Sequence, residues 1–367
     1  MITISQVIKY LETLYPKHLA ADQDPIGLQV GNVNQLLTKA LITLDITEAV
    51  IKEAISLGAN LVVSHHPFIY RPLATINTNT PKGKVINLCL KHDLTLYAMH
   101  TNYDIAPQGM NDQLAQLLNL EQVKPLIPTK RDSYSKIAIY VPATHMEAVR
   151  HAMGTAGVGT IGHYSHCTFA TQGIGSFKPH AGSQPYLGTP GQLELVEEVK
   201  LEGVVQSDHL SNVIAAVKLV HPYEEVAYDF QTLNVPTLGI QHGLGRLGQL
   251  EHPITCQDLI ELIKKAFNLT HVRFVGDLSK KVKQVAIIGG SGGSSIAAVK
   301  AKGADLFITG DVGYHEASDA LDLGLNVLDV GHHVEAIMKE HVATILNEAL
   351  GEIAVASTIN TEPFQFI

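Results

Sequence analysis

Cysteine is scarce in this sequence. The three present, Cys89, Cys167 and Cys256, are odd in number and far apart. They argue against a disulfide framework or a CxxC metal site, and a reducing cytoplasm is the expected setting. Charge is low as well: 17 % of residues are charged, below the roughly 25 % of soluble domains, while 46 % are hydrophobic. That combination excludes disorder, which needs low hydrophobicity and high charge. Basic residues are outnumbered, 26 Lys and Arg against 35 Asp and Glu, for a net charge of −9. A nucleic-acid binder needs a basic face, so no nucleic-acid partner is expected. No apolar run approaches the ~20 residues of a membrane span. The start, Met1-Ile2-Thr3-Ile4-Ser5, shows no basic region followed by a long apolar stretch, so no signal peptide is expected.

What the sequence does hold is histidine, 19 residues of it. It also holds a regular alternation of short apolar runs and helical stretches. Residues 39–45 (KALITLD), 61–64 and 94–99 read as buried strands, with helices over 48–57 and 84–92. This β-α-β-α-β order predicts a mostly parallel sheet covered by helices, and strands apolar throughout fit burial on both faces. The pattern returns in strands over 284–290, 305–309 and 325–330, with helices over 293–302 and 317–323. At an offset of 245 residues Ile42 falls on Ile287, Ile51 on Ile296, and Leu61 on Leu306. Two β-α-β units can match by chance, but an internal duplication is the preferred reading. It would place equivalent loops around one cleft.

Between the repeats, strands over 136–141, 159–173, 199–206 and 226–232 with helices over 146–154 and 207–220 give β-α-β-β-α-β, a ferredoxin-like order. Pro125, Pro128 and Pro236 mark the joints. The expected organisation is therefore α/β: two similar halves, residues 1–127 and 236–367, forming one metal-binding domain, with an inserted α+β domain over 128–235.

Four polar clusters follow predicted strands, where open α/β sheets bind their ligands. Ser64-His65-His66-Pro67 offers two imidazoles where the chain leaves the sheet, although loop histidines at a turn fit equally well. In His100-Thr101-Asn102-Tyr103-Asp104, Asp104 offers a hard oxygen or an Asx-turn. In Gly331-His332-His333-Val334-Glu335, His332 and Glu335 share one face of a helical turn, and His333 points elsewhere. Gly310-Asp311-Val312-Gly313-Tyr314-His315 gives Asp311 and His315 secondary roles. His65, His66, Asp104, His332 and Glu335 are too many ligands for one tetrahedral zinc with an open position. They suit two metals bridged by a carboxylate, and zinc, manganese or iron would all fit. His100 and His315 are the candidate catalytic residues, as proton shuttles.

Weaker signals accompany these. The Gly289–Ser295 loop could cradle phosphate or be a plain turn. Arg246, in Gly245-Arg246-Leu247-Gly248, could meet an anion or sit on a surface turn. His163, His166 and His221 read as structural.

These motifs, with Asp24-Pro25-Ile26-Gly27-Leu28-Gln29-Val30-Gly31, resemble the Nif-three-like proteins, often labelled GTP cyclohydrolase 1 type 2 homologues. The resemblance spans the whole chain, although His333 stands where the family often has Tyr. The insert, with His221-Pro222-Tyr223-Glu224-Glu225, is similar to CutA and PII-type domains. The resemblance implies a two-metal site on the five ligands named above, two similar α/β halves, and a homohexamer whose inserts cap a central cavity. It also implies hydrolytic opening of a purine ring. Two functions follow as expectations. One is a metal-dependent hydrolase on a nucleotide or phosphorylated small molecule. The other is a non-catalytic regulatory or scaffold protein with a ligand-sensing insert.

Overall fold

The computed structural model describes residues 2–234 and 239–365. It is a mixed α/β fold that divides into two compact units, one formed by residues 1–130 with 242–367 and the other by residues 131–241. The expected joint at Pro236 lies outside the described residues.

The chain lays down β1 (Gly27–Val30), β2 (Ala40–Thr43), β3 (Leu61–Ser64), β4 (Thr95–Ala98) and β5 (Glu121–Arg131), then β6 (Tyr134–Pro142), β7 (Thr168–Phe177), β8 (Glu194–Gln206) and β9 (Tyr228–Leu233). It returns with β10 (Gln241–Thr255), β11 (Arg273–Val275), β12 (Lys281–Ser291), β13 (Leu306–Gly310), β14 (Asn326–Asp329) and β15 (Ala354–Ala356).

Two sheets belong to the first unit, in the orders β1-β4-β3-β2-β15 and β11-β14-β13-β12-β10-β5. One has four adjacent parallel strands, β4-β3-β2-β15, and the other three, β14-β13-β12, each with an antiparallel strand at one end of the run, β1 on β4 and β11 on β14. Their central registers coincide. Ala40 pairs with Leu61, and the residues 245 positions on, Val285 and Leu306, pair likewise. Alternate side chains explain the layering. Ala40, Ile42, Leu61 and Val63 share one core with Val285, Ile287, Leu306 and Ile308, while Leu41 and Val62 face a second core and Ala286 and Phe307 a third.

The shared core also takes the apolar faces of four helices, Ile4–Leu14, Met110–Leu117, Cys256–Ala266 and Met338–Leu350. The first starts at a capping box, in which Thr3 accepts from the Gln6 amide and the Gln6 side chain from that of Thr3. This reciprocal pairing satisfies donors that a helix start leaves open.

The second unit is an antiparallel sheet in the order β7-β8-β6-β9, with helices Met146–Thr155 and Leu210–Val220. Its own core joins Ile137, Ile139, Leu201 and Val205 to Val149, Met153, Val213 and Val217 of the helices.

Two expectations change. Pro125 and Pro128 lie inside β5, at the edge of its sheet, where a strand tolerates residues without an N–H. Arg246 meets neither solvent nor an open anion site. It is 4 % exposed, ion-paired with Asp112, and donates to the carbonyls of Gly243, Gly245 and Ala106 at 2.9–3.0 Å. It ties β10 to the segment that follows Asp104. Arg246→Met leaves these carbonyls unpaired. Asp112 can still reach water, so we expect a loss of about 2–3 kcal/mol, read as a lower denaturant midpoint.

Candidate metal centre

His65 and His66 follow β3, and His100 precedes the short helix Thr101–Ile105 after β4. Gly331 at φ +78°, a conformation that favours glycine, turns the chain out of β14 into the 3₁₀ helix His332–Ile337. These strand ends bring together donors that are up to 270 residues apart in sequence (His65 and Glu335).

Two triads form. His65, Asp104 and Glu335 are all buried, while His66 and His332 complete the second triad with the same Glu335. His65 Nε2 lies 3.6 Å from Asp104 Oδ1 and 3.6 Å from Glu335 Oε2. His66 Nε2 and His332 Nε2 lie 3.2 Å from each other and 3.2 Å each from Glu335 Oε2. An ion about 2.0–2.2 Å from its donors keeps tetrahedral donors roughly 3.3 Å apart. The separations have that scale.

The tautomers point the same way. His65 Nδ1 is 2.9 Å from the Met99 carbonyl, which only accepts, so Nδ1 carries the proton and Nε2 is bare. His66 Nδ1 meets Asp45 at 2.7 Å and His332 Nδ1 meets Asp311 at 2.6 Å. These carboxylates leave both Nε2 atoms as lone pairs facing each other in the neutral rings. Such a contact needs a proton or a cation between them. His65 Nε2 and Asp104 Oδ1 are buried without a hydrogen-bond partner, an arrangement that native interiors rarely leave unexplained. The donors therefore fit a divalent ion.

The family comparisons agree over the full length. The sequence model of the Duf34/NIF3 (NGG1p interacting factor 3) family matches residues 2–363. The chain belongs to the Duf34/NIF3 family. It is 45 % identical to the GTP cyclohydrolase 1 type 2 homolog of Halalkalibacterium halodurans over 98 % of both chains. It is also 45 % identical to that of Bacillus subtilis over 99 % of this chain and 98 % of the relative. Among solved structures it is similar to a Bacillus cereus protein related to NIF3, with TM-score 0.88, 44 % identity and coverage of 100 % and 99 %.

Within this NIF3-family centre the other expected residues divide. His100 joins His65 and His66, its ring 5.2 and 5.8 Å from theirs. His315 does not join. It is exposed on the helix Tyr314–Asp322, with its ring 5.5 Å from Tyr314. Asp311 serves His332, and His333 lies outside the donor groups with a buried, unpartnered Nε2. Sequence reading missed Asp45 and Asp24 as histidine partners. Asp45 closes a predicted strand, the same signal that exposed the candidate ligands. The glycine-rich loop also gains a role: a Cβ on Gly290, at φ +66°, would sit 2.5 Å from Glu335 Oε1. Gly290→Ala should displace Glu335, and metal content per chain, measured by elemental analysis, should fall while β12 stays folded.

Without metal the cluster holds protons. Burial pushes the His66 imidazolium down, but Asp45 and Glu335 outweigh it and raise its pKa to about 10. The hydrogen bond to Glu335 raises His332 to about 9 against burial. Burial raises Asp104 to about 6, partly offset by His65. Burial also works against the Glu335 carboxylate, yet His65, His332 and His66 hold it well below its usual range. Metal must displace the imidazole protons. Its affinity should therefore keep rising with pH up to about 10, rather than levelling off above the ~6.5 of free histidine. The sign for stability is opposite. A raised histidine pKa stabilises fully below ~6.5 and is lost as pH climbs through the folded value. Chelator-stripped protein should accordingly lose melting temperature between pH 7 and pH 10, and added metal should restore most at the upper end.

Proposed function

We propose that this chain is a dinuclear-metal-dependent hydrolase acting on a nucleotide or another phosphorylated small molecule. The observation that carries this reading is the pair of donor triads sharing the buried Glu335. Held by His65, His66, Asp104, His332 and Glu335, two divalent ions would supply water activation at neutral pH and positive charge against developing negative charge. Zinc, manganese and iron all suit the mixed imidazole and carboxylate donors.

The chain's own residues divide the work. His65, Asp104 and Glu335 form a dry floor. The side chains of His66 and His332, 26 % and 38 % exposed, form a rim that substrate can reach. A structural site closes its coordination, whereas a catalytic one keeps a position open, so the exposed rim favours the hydrolase over a regulatory or scaffold protein. His100 stands at the same rim with a ring nitrogen free to move a proton. His315, beyond the cluster, is at most an outer relay.

Three larger features belong to this reading. The shared register of β2–β3 and β12–β13 supports two similar halves derived by duplication. The β-α-β-β-α-β run of the second unit supports a ferredoxin-like insert of the CutA and PII kind. A homohexamer in the cytoplasm completes it. The names of the relatives above point to GTP as the first nucleotide to try. Among the described residues no helix is long and apolar enough to cross a membrane.

Metal-replete protein should retain about two ions per chain. Asp104→Ala and His332→Ala should lose metal while circular dichroism shows them folded. Turnover of a panel of nucleotides and phosphoesters should vanish in both variants. One ion or none in the wild type would overturn the dinuclear reading. Two ions without turnover of any panel member would favour the regulatory one.

A further inference from the structure

The motif Asp24-Pro25-Ile26-Gly27 supplies no ligand to the metal centre, yet Asp24 is buried beside it, with 4 % of its side chain exposed. Its carboxylate is fully engaged. Oδ1 faces His100 Nδ1 at 2.9 Å, and Oδ2 accepts from the Thr101 amide at 3.0 Å and from the Thr101 hydroxyl. An ionised carboxylate only accepts, so the proton sits on His100 Nδ1 and the neutral ring presents a bare Nε2. A ring nitrogen of His100 lies within 4.8 Å of ring nitrogens of His65 and His66. Among the described residues its Nε2 has no hydrogen-bond partner of its own.

His66 and His332 are wired in the same way by Asp45 and Asp311, but each also touches Glu335 through Nε2. His100 has the orienting carboxylate without the Glu335 contact. Among the described residues its Nε2 is left free.

We propose that Asp24 is a positioning residue that fixes His100 as its Nδ1–H tautomer, so that Nε2 stands as the aligned proton acceptor at the mouth of the metal centre. This rests on the hydrolase reading. There, Nε2 takes a proton from the attacking water and returns it to the leaving group. Asp24 balances the imidazolium while it exists, and no other atom changes hands at this pair. A helix-capping role alone would need only the Oδ2 bonds to Thr101.

Asp24→Asn separates the two roles. The amide oxygen can still accept from Thr101, but its NH₂ now donates to Nδ1 and drives the proton to Nε2, a tautomer reversal of known catalytic consequence in hydrolases. The test is solid-state NMR of zinc-loaded protein labelled with ¹⁵N-histidine, with His100 assigned by its loss in His100→Gln. The wild type should show His100 protonated at Nδ1 and bare at Nε2, and Asp24→Asn should lose that signal and gain the Nε2–H form. Zinc should stay at the wild-type count per chain in Asp24→Asn. Where turnover is measurable, kcat should fall about 10²- to 10⁴-fold with little change in KM. An Nε2–H tautomer in the wild type overturns the proposal even if the variant does not fold. An unchanged tautomer in a folded Asp24→Asn, or zinc lost from it as from Asp104→Ala, overturns it too. A wild-type protein with the expected tautomer and no turnover refutes the hydrolase reading and leaves the positioning geometry standing.

Discussion

The structure around the centre depends on one buried carboxylate. Glu335 is 3 % exposed, and an ionised group so placed is very costly unless it is paired. Three imidazoles from two strand ends converge on its Oε2. That convergence constrains everything near it. The β12 backbone must approach without a side chain at Gly290. β14 must turn sharply at Gly331. The loops after β3 and β14 must end within hydrogen-bond range of each other although 266 residues separate His66 from His332.

Parallel strands make such a meeting feasible. Their carboxyl ends lie along one edge, so each loop leaves the sheet on the same side. The strands β2, β3 and β4 keep the same order and register as β12, β13 and β14, and their inner residues share one core. A centre fed from both sheets is thereby held by rigid elements and not by the loops alone. Arg246 adds a clip from β10 to the carbonyl of Ala106, two residues beyond Asp104.

This arrangement explains what was legible in the sequence. The five donors were legible because each follows an apolar run with strand character, and His332 and Glu335 sit one helical turn apart. The alternation that defines β2, β3, β12 and β13 was equally plain. The orienting carboxylates were not. Asp45 meets His66 from 21 residues away and Asp24 meets His100 from 76, and a lone Asp after a strand looks like a turn residue. Arg246 was ambiguous because its flanking glycines suggest a turn, whereas only burial reveals a partner. In the second unit the glycine-rich stretch hid the start of β7, which begins at Thr168 and not near Gly159, because glycine carries no strand pattern.

Charge gives the final constraint on what the centre holds. Asp24, Asp45 and Asp311 each engage a histidine, and Asp104 and Glu335 sit on the dry floor. Five carboxylates against neutral imidazoles would gather more negative charge than a half-buried site tolerates. Protons answer this in the metal-free protein, which is why His66 and His332 keep theirs to about 10 and about 9. A bound divalent metal would displace those protons and supply positive charge in their place, freeing the Nε2 lone pairs to face a cation. The carboxylates that orient the histidines therefore also set the demand for positive charge that the centre must meet, whether by protons or by metal.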